Sequence, residues 1–189
     1  LPAIPSAPIR IDFPAPIEAP IVVAPVLTRN DPDPAHPRIA EVSREGFTAR
    51  IREWAAQDGV HDAEALSWVA VARGAGAWSD GARYEAGRVE VDGAARRVRF
   101  EPPLESPLVI AHVVTANGAD PVVVRLAEIS AEGFELRLQE EEGGDGEIAA
   151  ETVHFLAFEP APGTEDGFPW TGGRLEGVTH QPTDLGDRF

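Results

Sequence analysis

The chain of 189 residues contains no cysteine, no methionine and no lysine. Without cysteine, neither a disulfide framework nor a thiolate metal site can brace a small fold. Arginine supplies all 16 basic residues against 32 acidic ones, leaving a net charge of −16. Such a surface repels phosphate backbones, which argues against nucleic acid as a partner. Long apolar runs are missing too. The longest, Pro20 to Leu27, is far below the roughly 18 residues of a spanning helix, and no membrane insertion is expected. The opening residues Leu1-Pro2-Ala3-Ile4-Pro5 show neither an initiator methionine nor the regions of a signal peptide. A processed product or an excerpt of a longer polypeptide is therefore expected. No segment sustains a helical period.

What is present is a duplication. Phe13 to Val71 aligns with Phe100 to Phe158 at a constant offset of 87 without a gap, and 25 of the 59 positions are identical. A repeat of this length means two copies of one small fold. Units of about 60 to 85 residues bury only about 60% of their unfolded surface, so packing between repeats or chains is expected. Period-two alternation is clearest in Phe134-Glu135-Leu136-Arg137-Leu138-Gln139, the mark of a half-buried strand. The turns Ser43-Arg44-Glu45-Gly46 and Ser130-Ala131-Glu132-Gly133 each close a hairpin. Together these signals predict an all-β chain of two tandem antiparallel β-sandwiches, each of about six strands. The expected division is a first repeat over 1–73, a linker over 74–86, a second repeat over 87–160 and a tail over 161–189. In the tail, Gly173-Arg174-Leu175-Glu176 echoes Gly87-Arg88-Val89-Glu90, and Phe189 stands where a third repeat would begin.

An ordered series of motifs runs through each copy. In the first it reads Ser43-Arg44-Glu45-Gly46-Phe47, Glu53-Trp54, Gln57-Asp58-Gly59-Val60-His61 and Ser67-Trp68-Val69-Ala70, preceded by Phe13 and the run Pro20-Ile21-Val22-Val23. This series resembles the H-type lectin domain of snail agglutinins and of the discoidin carboxyl-terminal region, in a divergent bacterial tandem form. The resemblance implies six-stranded sandwiches that assemble as trimers and bind N-acetylgalactosamine-like sugars at edges between subunits. It also implies that Trp54 is a sugar contact. Alternation supports an exposed indole, because Phe47, Ala49 and Ile51 fall on one face and Thr48, Arg50, Arg52 and Trp54 on the other. The candidate ligand-binding residues are Trp54, Arg52, Arg50, Asp58 and His61. Trp68, replaced by Phe155 in the second copy, reads as core.

The chain departs from the lectin pattern in places. Ala55 and Ala56 follow Trp54 where polar residues are common, Pro34 and Pro121 stand where the family has an arginine, and Glu141 replaces Trp54 in the second copy. Acidic loops, including Asn30-Asp31-Pro32-Asp33-Pro34, could supply oxygen ligands to Ca²⁺, but no EF-hand spacing is present and no cofactor is required. Glu64 and Glu151 recur and are expected to pair with Arg38 and Arg125 or with Arg50 and Arg137. No catalytic motif occurs, and the chain reads as a non-enzyme. The expectation is a carbohydrate-binding adhesion module, extracellular or on a cell or particle surface, acting as a homo-oligomer. Its rivals are a structural fibre, tail or surface-array module without sugar binding, and a Ca²⁺-dependent adhesin.

Overall fold

The computed structural model describes residues 3–54, 57–79, 81–118, 120–140, 144–160, 163–165 and 168–170. Ala55, Ala56, Glu141 and the third-repeat phrase of the tail lie outside them. Every regular element described is a strand. The first repeat holds β1 (Ala3–Ile4), β2 (Ile9–Asp12), β3 (Pro20–Leu27), β4 (Ala35–Ser43), β5 (Gly46–Glu53) and β6 (Glu64–Ala72). The second holds β7 (Gly74–Ala77), β8 (Arg83–Val91), β9 (Arg96–Arg99), β10 (Leu108–Val113), β11 (Val122–Ser130), β12 (Gly133–Glu140) and β13 (Glu151–Phe158). A short hairpin, β14 (Gly163–Glu165) with β15 (Phe168–Trp170), follows. Residues 74–86, expected as a linker, carry β7 and the start of β8, which extend the second repeat's sheet to the order β10-β13-β8-β7.

In the first repeat the sheets β1-β6-β3 and β2-β5-β4 face each other, all pairings antiparallel. The alternation predicted for β5 holds. Phe47, Ala49 and Ile51 are buried, and they meet Val22, Ala24 and Leu66 of the opposite sheet in one core. Trp68 packs edge-on to Phe47 at 5.5 Å, and Phe155 repeats the contact on Phe134 at 5.2 Å. The second repeat builds its core the same way around Phe134, Leu136, Leu138 and Val153.

The offset of 87 also holds in backbone detail. Left-handed residues occur at Ala19 and Ser106, at Glu41 and Glu128, and at Gly59 and Gly146. The irregularities of pairing fall between Ala40 and Ser43 and between Ala127 and Ser130. At the hairpins, a Cβ on Gly46 would lie 2.1 Å from the Ile11 carbonyl oxygen, and one on Gly133 would lie 2.0 Å from that of Val98. Only glycine lets the outer strand approach so closely.

Glu64 and Glu151 do not pair with arginine as expected. Each is 1% exposed and anchors the loop that leaves β3 or β10. Glu64 accepts hydrogen bonds from Thr28 Oγ1 and from the backbone N–H groups of Asn30 (2.7 Å) and Asp31 (3.2 Å). Glu151 does the same with Thr115, Asn117 (2.8 Å) and Gly118 (2.9 Å). A buried carboxylate with three donors is far cheaper than a guanidinium pair that must also be dried.

A third apolar cluster joins the repeats. Ile21 and Val23 on the outer face of β3 meet Ala86 and Leu156, with Val71, Tyr84, Ile110 and Phe158 around them. The Val22 N–H, on the free edge of β3, donates to His154 Nδ1 of β13 at 3.0 Å. Nearby, the Pro37 carbonyl takes a hydrogen bond from the His112 ring. His36, His112 and His154 are each depressed to about 4. Burial is the main cause for all three. Arg38 adds to it for His36 and His112, and Arg88 for His154, while the bond that His112 donates to Pro37 opposes it.

Two outcomes follow. Glu151→Ala, like Glu64→Ala, strands buried N–H donors and lowers urea-unfolding stability by about 3 kcal/mol, whereas the exposed Glu132→Ala stays within about 0.5 kcal/mol. Second, the unfolded histidines titrate near 6.5 and the folded ones near 4, so between those values the unfolded chain binds more protons. Stability is therefore complete above about pH 6.5 and declines towards pH 4, by up to about 3 kcal/mol for each ring. Urea midpoints measured across that range check this, and His36→Asn makes the decline shallower.

Candidate functional site at one end of the first repeat

Two segments, 28–34 and 57–63, meet at one end of the first sandwich. Glu64 fixes the first. Asp31 ties the two together by accepting from the backbone N–H groups of Asp33 (3.0 Å) and Asp62 (3.1 Å). Those two bonds hold the Asp31 carboxyl below its ordinary pKa. The second loop turns at Gly59, whose φ of 79° is the left-handed conformation glycine adopts without strain. There Glu53, at the end of β5, accepts from the Gly59 N–H at 2.8 Å.

His61 drops into the space between the loops. Its Nδ1 lies 3.0 Å from Glu53 Oε1 and 3.9 Å from Asp31 Oδ1, and its Nε2 lies 3.4 Å from Glu64 Oε1. Both ring nitrogens thus face carboxylates, and the side chain is only 3% exposed. Burial pushes the Glu64 carboxyl up, but Thr28, the two loop N–H groups and His61 together outweigh it and hold the group low.

Trp54 lies just beyond β5 and is 38% exposed. Its backbone N–H donates to the Pro34 carbonyl at 3.3 Å, and its carbonyl accepts from Gln57 at 3.0 Å, which fixes the backbone under the indole. With Ser6, Arg50, Arg52, Gln57 and Gly59 it lines an open hollow of about 290 Å³. Pro34, where an arginine was expected, thus serves through its carbonyl as a backbone brace.

The five predicted residues therefore separate. Trp54, Arg50 and Arg52 share the hollow. Asp58 is exposed, accepts from the Val60 N–H at 2.8 Å and groups with Asp33 and Glu53. His61 borders a different cleft of about 420 Å³, with Thr28, Asp31, His36 and Glu64. It is a buried brace between loops and makes no part of the tryptophan hollow.

The second repeat keeps some of this and loses the rest. Gln139, Glu141 and Ile148 stand at the positions of Arg52, Trp54 and His61. Asp120, Glu140 and Asp145 gather as Asp33, Glu53 and Asp58 do, each set within 4.8 Å. With Ile148 in place of the imidazole, Glu140 Oε1 has no hydrogen-bond partner among the described residues. In the first repeat, burial and then the neighbouring Asp31, Glu53 and Asp58 push the Asp33 carboxyl up. The sequence signal for the loop clamp was present in the joint recurrence of Thr28, Asn30 and Glu64 as Thr115, Asn117 and Glu151.

No family model matches the chain, and no solved structure matches it. Among the described residues no helix is long and apolar enough to cross a membrane. The chain is similar to Halomucin of Haloquadratum walsbyi, with 25% identity over 194 residues that take in 95% of this chain and 2% of that protein. It thus spans about 2% of the length of the relative it matches.

Proposed function

We propose that this chain is a recognition module displayed outside the cell, on a cell or particle surface, that binds carbohydrate in the Trp54 hollow of its first repeat. The observation that carries the reading is a half-exposed indole on a braced backbone, flanked by Arg50 and Arg52 in a shallow open hollow. Pyranose C–H groups pack on an aromatic face while nearby polar groups select the hydroxyls. The H-type lectin resemblance points to the same tryptophan. The relative's name denotes a mucin, a class of secreted and surface-borne proteins, which supports an extracellular setting. Glu141 stands at the tryptophan position of the second repeat, and the described residues hold one such tryptophan hollow, so affinity would come from several chains held together, with a trimer as the family-like assembly.

A glycan array tests this reading. The wild-type chain retains a defined set of sugars, and Trp54→Ala loses about tenfold or more of that binding while its circular dichroism is unchanged. An ordered wild-type chain that retains no glycan would instead support a purely structural module.

The duplicated carboxylate groups favour a second reading, calcium-braced loops. Burial and then the neighbouring carboxylates raise Asp33, and among the described residues Glu140 Oε1 has no partner; a hard cation relieves the carboxylate repulsion and occupies such an oxygen. Calorimetric titration then finds two Ca²⁺ per chain at about 10⁻⁴ to 10⁻³ M, the range of extracellular modules. Asp33→Asn and Asp120→Asn each remove one; heat-free titrations would dismiss the idea.

A further inference from the structure

On β4, Pro37 and Ile39 turn towards the first core, so His36 and Arg38 occupy the outer face. Across the pairing with β5, Arg38 stands opposite Arg50 and His36 opposite Arg52. Four basic side chains thus form a two-by-two block in a chain of net charge −16. Like charges directly opposite destabilise a sheet unless something neutralises them.

The second repeat shows how such a pair is ordinarily handled. Arg125 stands opposite Arg137, both are exposed, and Arg125 Nε donates to Gln139 at 2.8 Å. Val123 and Gln139 replace the other two members of the block. In the first repeat residues of β10 and β11 instead face His36 and Arg38 across a cavity, while Arg50 and Arg52 border the open hollow. Arg38 is only 7% exposed, and among the described residues its side chain makes no ion pair and its Nε has no hydrogen-bond partner. Glu151 attracts it from a distance, while Arg52 and Arg50 repel it.

Arg38 lines a cavity of about 210 Å³ between the repeats, together with His36, His112, Val122 and Val124. Arg38 Nε, both ring nitrogens of His36 and Nε2 of His112 are buried without partners among the described residues. Four buried nitrogens without partners among the described residues thus surround one cavity, one of them on a guanidinium, and such groups call for a hydrogen-bonding partner. We propose that this cavity is a binding site for a small oxyanion, sulfate or phosphate, free or carried as an ester on a glycan. The guanidinium supplies a fork of donors matched to such oxygens, and His36 supplies one N–H.

His112 adds a proton-linked contact. Proline has no N–H, so the Pro37 carbonyl must accept from His112, and with Nε2 orphaned the donor is Nδ1. In the neutral ring Nε2 is then a lone pair, which meets an anion only after taking up a proton. The groups facing it are Arg38, His36, His154 and, further off, Glu151, Arg50 and Arg52. The anion offsets the repulsion of the cations among them, so binding takes up a proton and tightens as pH falls.

The test is calorimetric titration of the full chain with sodium sulfate at constant ionic strength. One sulfate binds per chain, more tightly at about pH 6 than at about pH 7.5. Arg38→Met weakens it about tenfold or more, and Arg125→Met leaves it unchanged. A sulfated disaccharide titrated alongside its unsulfated form separates the sources: binding of the ester marks a glycan group, and binding of inorganic sulfate alone marks a free ion. Absence of saturable uptake by wild type at about pH 6, or uptake that survives Arg38→Met, overturns the proposal. Should Arg38→Met fail to fold, His36→Ala takes its place, with weakened uptake supporting the site and unchanged uptake refuting it. Trp54→Ala leaves sulfate uptake intact, so failure here is distinct from failure of the tryptophan hollow.

Discussion

The structure depends on β3 being buried on both faces. Val22 and Ala24 complete the first repeat's core, while Ile21 and Val23 form the seam with the second repeat. An edge strand normally presents unpaired N–H groups that invite further pairing. Here the second repeat covers the strand's outer face, and His154 takes up the Val22 N–H. Val114, just past β10, also enters the first repeat's core. Two units too small to be robust alone thereby share a continuous interior.

That seam makes duplicated residues unequal. Arg38 and Arg125 stand at equivalent positions of the two copies and each faces an arginine across its hairpin, yet one is buried and the other exposed. His61 and Ile148 make a similar contrast within the loops: the imidazole gathers three carboxylates, and its replacement leaves Glu140 Oε1 without a partner among the described residues. Trp54 stands on a loop whose backbone is braced from below, so its exposure reflects support rather than looseness. Where the copies diverge, chemistry is concentrated on the first. What they share, above all the glutamate clamp, is scaffold.

Local patterns disclosed much of this. The faces of β5, the aromatic exchange of Trp68 for Phe155 and the two glycine hairpins depend on neighbours in the chain, which alternation and the repeat make visible. The run from Pro20 to Leu27 lacks alternation, and the reason is burial on both sides, a pattern better known from central strands. The stretch 74–86 is rich in glycine, yet β7 needs no large side chains because Tyr84 crosses over Gly76. His61 resembled a solvated turn residue, since the carboxylates that enclose it come from positions 31, 53 and 64. Likewise nothing in the local sequence distinguishes His36, His112 and His154 as members of one seam. Only docking of the repeats brings them together.

The Val22 amide reports that docking most directly, because its hydrogen bond crosses from one repeat to the other. Hydrogen exchange followed by NMR should find it protected as strongly as the amides inside β5, with the His154 Nδ1 resonance shifted as a hydrogen-bond acceptor. Exchange at the rate of an open sheet edge, with β5 still protected, would mean that the repeats do not pack as described and would contradict the account.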